Sequence, residues 1–334
     1  MKVSSWLRSG AVAILVATNL LIGTARAQAP ASVTVNVFPG GFNWPSFVGQ
    51  QKGFFERNGI TVTLQQTPNS VAQMTGLAEG KFDIAITAFD NVVAYVEGQG
   101  EAPIGAQPEF FAFMGSDNGF LSLVVAPGIK TFADLKGKTL SVDARTTGYA
   151  FVLFDVLRRN GLAEDDYKIE KVGGTAQRWD ALREGKQSGT LLSAPFNLIA
   201  GEQHFNELAR AIKVIGPYQG NVAATRRSWA RENRTKVIAF IRGYAQAIDW
   251  LYDKANRDEA ITILLNNVKM SPEIAERTYD ELLDPKDGFF RKARVSTGGL
   301  RTVLSLRSRY AVSKKKLADP RKYYDSSYYD AAMR

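Results

Sequence analysis

Four short clusters hold the residue types in this chain that could do chemistry. Phe42-Asn43-Trp44, Phe89-Asp90-Asn91, Thr146-Thr147-Gly148-Tyr149 and Pro195-Phe196-Asn197 each stand where an apolar, strand-like run has just ended or is about to turn into a helix. Their types are those of recognition: flat aromatic faces, carboxamides, hydroxyls and one carboxylate. Trp44, Phe89, Tyr149 and Phe196 could stack on a planar or apolar body. Asp90 would accept a hydrogen bond from an N–H or O–H donor and repel an anion. Thr146 and Thr147 open a helical pattern whose first amides have no partner within the helix, a seat for an anionic or acceptor-bearing group. Structural roles compete with each of these. Trp44 and Phe89 read equally as core aromatics, Asp90 as the N-cap of the next helix, and Thr146 and Thr147 as ordinary caps.

Covalent and metal chemistry have little to work with. The chain contains no cysteine, and His204, its single histidine, sits in the polar run Glu202-Gln203-His204-Phe205 without the partners that a metal site or an acid–base triad needs. Gly98-x-Gly100 and Gly173-Gly174 do not complete a strand-to-helix phosphate fingerprint, so no nucleotide or other cofactor is implied. Lys314-Lys315-Lys316 reads as a solvated face, and no stacking aromatics are interleaved with it as nucleic-acid binding would require.

The elements that must position these clusters follow from periodicity. Val35 and Val37 close a β-branched run, Pro39-Gly40-Gly41 breaks it, and Pro45 opens a helix with Phe47, Val48, Gln51, Phe54 and Phe55 on one face. Asn58-Gly59 ends that helix, and Ile60, Val62 and Leu64 alternate as a half-buried strand, completing a βαβ unit. Asn69-Ser70 caps a further helix before the strand at Phe82, Ile84 and Ile86. Strands are also expected at 110–114, 120–126, 139–143, 190–194 and 212–215, and helices at 233–254, 257–266, from Ser271-Pro272 and from Ser296. In open parallel sheets ligands sit at the carboxyl ends of strands, which is where the four clusters lie.

A weak internal repeat points to two similar halves. The run from Ala72 to Lys81 recurs, with one residue inserted, from Ala176 to Lys186, each time as helix, tight turn and strand. The 334-residue chain is longer than a single core usually serves. Its start has the form of a secretory signal: Lys2 and Arg8 precede an uncharged run from Gly10 to Gly23, followed by Ala25-Arg26-Ala27. The formal charge of +9 falls to +6 if Lys2, Arg8 and Arg26 leave with that segment, a surplus too small to define a partner.

These residues resemble a known family. Trp44-Pro45, Gln51-Lys52-Gly53-Phe54-Phe55-Glu56 with Gly59-Ile60, Asn69-Ser70, Gly80-Lys81-Phe82-Asp83-Ile84-Ala85, Leu135-Lys136-Gly137-Lys138 and Glu184-Gly185-Lys186 are similar to the extracytoplasmic substrate-binding proteins of ABC importers in the nitrate, sulfonate, taurine and thiamin-pyrimidine group. The resemblance implies an α/β chain with the two-lobed periplasmic binding protein type II fold, two Rossmann-like lobes joined by two crossing strands, and a helical C-terminal tail on lobe 1. The expected division is a signal peptide over 1–27, lobe 1 over 28–119 and 221–334, and lobe 2 over 120–220.

It further implies a monomer exported to the periplasm that closes on one small organic solute and hands it to a membrane permease driven by a separate ATPase. The implied contacts are Trp44, Asn69, Ser70, Phe89, Asp90, the helix start Thr146, Thr147, Gly148 and Tyr149, and Pro195-Phe196, with no nucleic acid and no cofactor. Two alternatives stay open: a pyrimidine-forming enzyme on the same fold, which would rely on cysteine, histidine and lysine chemistry, and a solute-sensing partner of a membrane receptor.

Overall fold

The β-branched run Ala31–Val37 (β1) pairs in parallel with Ile60–Gln66 (β2) on one side and Ile84–Ala88 (β3) on the other. The computed structural model in which these pairings are seen describes residues 30–105 and 108–334, so the expected signal peptide lies outside the described residues. A second group repeats the arrangement: Thr139–Val142 (β6) pairs in parallel with Lys168–Lys171 (β7) and Gly189–Leu192 (β8). Each parallel trio is completed by antiparallel strands. Asn221–Arg226 (β10) lies between β3 and Phe110–Gly115 (β4), and Ser122–Val125 (β5) lies between β8 and Asn206–Arg210 (β9). The strand orders, β2-β1-β3-β10-β4 and β7-β6-β8-β5-β9, are therefore the same topology built twice, which is the origin of the internal repeat.

The chain passes between the sheets twice, after β4 and again before β10, and the two passages are bound together. Asp117 accepts from the Gly119 and Asn221 amides at 2.8 and 3.0 Å and from Asn221 Nδ2, while its own carbonyl accepts from Gly220 N at 2.9 Å. Burial pushes the Asp117 carboxyl above its ordinary value, against the opposing pull of these hydrogen bonds.

Local sequence decides where elements stop. The helix expected from Pro45 through Phe55 is two, Trp44–Gln51 and Phe54–Arg57, because Gly53 adopts φ +67° between them. The strand expected at 212–215 is instead the helix Ala211–Ile215, and the edge strand is Asn206–Arg210. Ala211 and Ile215 are buried while Lys213 is exposed, so an i, i+4 pattern was present beneath an apparently β-like run.

The tail is helical, as the pattern predicts. Along Arg234–Leu251, Val237, Phe240, Ile241, Tyr244, Ile248 and Leu251 are all fully buried, each contributing roughly 1.5–3 kcal/mol of transfer free energy. Phe240 stacks on Phe55 of the first lobe with ring centroids 5.4 Å apart. The last long helix, Thr297–Tyr310, behaves differently: Arg307 and Tyr310 reach Asp90 in the first half and Phe151 and Asp155 in the second, so this helix straddles both lobes. Among the described residues no helix is long and apolar enough to cross a membrane.

Candidate functional site

The carboxyl ends of β1, β3, β6 and β8 converge on the seam between the two sheets. Phe38 follows β1, Ala88 ends β3, Asp143 follows β6 and Ser193 follows β8, and all four line one cavity of about 50 Å³. Phe42 and Asn91 complete the wall from the first half, Thr147, Gly148, Tyr149, Gly174, Thr175 and Arg178 that from the second, and Gly119 and Asn221 floor it from the crossing segments. The halves meet across its rim. Gly41 N donates to Ala194 O and Gly174 N to Pro68 O, each at 3.1 Å, and Ser70 N donates to Asp143 Oδ2 at 3.1 Å. These three bonds tie the halves together beside the cavity.

Two helices begin at this wall. Gly148–Arg159 has Thr147 as its N-cap residue and Thr175–Arg183 has Gly174; neither N-cap side chain accepts from its helix, while Gln177 Oε1 accepts from Gly174 N at 2.7 Å. Thr147 Oγ1 is turned back to donate to Ala144 O at 2.9 Å, leaving the helix-start amides to whatever enters the cavity. Gly148 and Gly174 are there because nothing larger fits. A Cβ on Gly148 would lie 2.3 Å from Asp90 Cβ, and one on Gly174 would lie 2.9 Å from Pro68 O, so both close approaches between halves depend on a missing side chain.

Arg178 is the charged group of the second half's wall. It is buried, and its guanidinium donates to Thr190 Oγ1 at 3.0 Å, Gly173 O at 2.7 Å, Leu191 O at 3.0 Å and Thr175 Oγ1 at 3.3 Å. All four acceptors are neutral. Burial pulls its pKa below the usual arginine value, opposed chiefly by the charge of Asp143. Tyr149 Oη is buried without a hydrogen-bond partner, beside Gly119, and burial pushes that phenol well above its ordinary value. A buried hydroxyl with no partner costs about 1–3 kcal/mol, which a ligand atom could recover.

Of the residues expected at the site, Thr147, Gly148 and Tyr149 line the cavity. Asn69 and Ser70 stand at its rim: Asn69 Oδ1 caps its own helix by accepting from Ala72 N at 2.8 Å, and Ser70 reaches the cavity through Asp143. Six others are placed elsewhere. Trp44 is fully buried, with Nε1 donating to Ala260 O at 3.0 Å and its ring edge-on to Tyr279, because the helix starts at Trp44 and turns the side chain toward the tail; Phe42 of the same loop faces the cavity instead. Phe89 is fully buried with its ring edge-on to Tyr323.

Thr146 points outward, donating to Glu101 Oε2 at 2.9 Å. Asp90 neither caps its helix, whose N-cap is Ala88, nor faces the cavity: it is held in a buried ion pair with Arg307. Pro195 and Phe196 line a separate open groove with Phe47 and Gln50.

Asn91, from the Phe89-Asp90-Asn91 cluster, does line the cavity, whereas sequence reasoning missed Asp143, Thr175, Arg178, Ser193 and Asn221 as wall residues. The first four of these stand within a few residues of strand ends or helix starts that were legible, so the usable signal was position after the strand.

The comparisons match this architecture. Over 267 residues the chain is 24% identical to the bicarbonate transport ATP-binding protein CmpC of Synechococcus elongatus, covering 73% of this chain but 40% of that one, so it spans less than half of that relative. The periplasmic nitrate-binding protein NrtA of Synechocystis PCC 6803 superposes with a TM-score of 0.75 at 13% identity, covering 91% of this chain and 88% of that one. The alkanesulfonate-binding protein SsuA of Xanthomonas axonopodis pv. citri, bound to MOPS, gives 0.71 at 16% identity, covering 89% and 100%. The desulfurization enzyme DSZB shares the fold at 0.61 and 12% identity, covering 91% and 99%. A family model described as NMT1/THI5 like matches residues 43–258, and with its two-lobed periplasmic-binding-protein fold the chain belongs to the NMT1/THI5-like family.

Proposed function

We propose that this protein is the extracytoplasmic solute-binding component of an ABC importer, capturing a small organic or oxyanionic solute between its lobes and delivering it unchanged to a permease. The observation that carries this is the cavity whose wall, mixing polar groups with the aromatic faces of Phe38, Phe42 and Tyr149, is shared by both lobes and the crossing segments. A solute there would bridge groups that separate when the seam opens, so its binding would favour the closed form, which a membrane partner could recognise. The similarity in fold to nitrate- and sulfonate-binding proteins supports the same reading.

Two other functions would use the same fold. A solute-sensing partner of a membrane receptor would use the same closure to report the solute. An enzyme on this fold is the weaker alternative, since the cavity wall offers hydroxyls, amides, one guanidinium and one carboxylate and no nucleophile held by a base.

A thermal-shift screen of sulfonates, carboxylates, oxyanions, pyrimidines and amines tests the proposal. A true solute at about a hundred times its Kd adds about 2.7 kcal/mol of stability and a clear rise in Tm. If no compound raises Tm and no small molecule travels with the purified protein, the proposal fails.

A further inference from the structure

The cavity contains one buried cation and one carboxylate that are not bonded to each other. Arg178 donates four of its five N–H groups to neutral oxygens, with one on Nη1 unused, and makes no salt bridge among the described residues. Asp143 accepts one hydrogen bond at the site, from Ser70 N, and compensates Arg178 only through space. A buried guanidinium without a carboxylate in contact is costly, and an entering anionic oxygen would relieve it. A bare anion would then stand near Asp143 and leave the cavity with a surplus negative charge. A molecule that also carries an N–H or O–H donor would satisfy both groups.

Size narrows the class. About 50 Å³ accommodates roughly four water-sized groups, room for a few heavy atoms rather than a ring with substituents. The unpartnered Tyr149 Oη offers a third polar contact. Resting on the reading of this cavity as the solute site, we propose that its solute is a compact amino or hydroxy acid, with its acidic group toward Arg178 and the two helix starts and its donor toward Asp143. Arg178 and Asp143 are then the residues that set specificity.

Acetate, glycolate and glycine differ in one group on the methyl carbon, which makes them suitable probes, with nitrate as a donor-free anion. Calorimetric titration of the exhaustively dialysed protein should show glycolate or glycine binding at least tenfold tighter than acetate and nitrate. Asp143→Asn, which can still accept from Ser70 N, should shrink that gap to under threefold. Acetate or nitrate binding as tightly as the donor-bearing probes would overturn the proposed class and leave solute binding intact. A gap that persists in Asp143→Asn would overturn the role of Asp143. Absence of binding by all four probes would also overturn the class, and native mass spectrometry of the undialysed protein would then decide separately whether any solute occupies the chain.

Discussion

Arg307 grips Asp90 across 217 residues of sequence, Nε to Oδ1 at 2.8 Å and Nη2 to Oδ2 at 2.5 Å, with both side chains fully buried. The same guanidinium donates to Thr146 O at 2.5 Å and to Gln99 Oε1 at 3.2 Å, and it lies over the Phe151 ring. A helix of the tail thus fastens the helix after β3 in one lobe to the cavity-facing helix start of the other. The carboxylate that seemed available to a ligand is wholly engaged in holding the site together.

Removing one partner of this pair leaves the other charged, buried and alone. Arg307→Ala and Asp90→Ala are each expected to lower unfolding free energy by about 3–5 kcal/mol, measured by urea denaturation. The double variant Asp90→Leu/Arg307→Met should cost clearly less than the sum of the single changes. Additive losses would show that the two groups do not act as a pair.

Gly148 sits against Asp90 with no space for a side chain. Gly148→Ala should therefore displace the helix start, destabilising the protein by about 1–3 kcal/mol and weakening solute binding. Gly201, which has open space around it and no positive φ, makes the control: Gly201→Ala should leave stability and binding unchanged.

The end of the chain is fastened by a second acidic anchor. Burial tends to raise the Glu97 carboxyl, but hydrogen bonds from Lys322, Tyr323 and Lys315 outweigh it and hold the group below its ordinary value of 4.5. A lowered folded-state pKa contributes stability above the unfolded value, and that stability is lost as pH falls through the folded one. The stability difference between the natural protein and Glu97→Gln should be constant above about pH 5 and shrink in more acid solution, as read from urea melts at stepped pH. A difference independent of pH down to the lowest folded condition would contradict the assignment.

How much of this was legible in the sequence varies with the range of the interaction. The repeated helix-turn-strand run gave the duplicated topology, because strand alternation and helix-ending glycines are local. The strand-end rule found the loops of the site, as Thr147 to Tyr149 show, yet it did not say which side chain of a loop turns inward. Phe42 rather than Trp44 faces the cavity because the helix begins at Trp44 itself. Asp90 was misjudged because its partner arrives from the last long helix, and nothing near Arg307 in sequence marks it as buried. Arg178 lay inside the second copy of the repeat at the position of Met74, so its departure from an apolar counterpart was the available signal.

A bound solute is expected to draw the two lobes together over the seam. Because the chain has no cysteine, spin labels placed at Gln65→Cys and Glu184→Cys, both exposed and on opposite lobes, would report that motion without interference. Pulsed electron-resonance distances should be long and broad in dialysed protein and become shorter and narrow when one equivalent of bound solute is present. Identical distance distributions with and without a stoichiometrically bound solute would contradict the account.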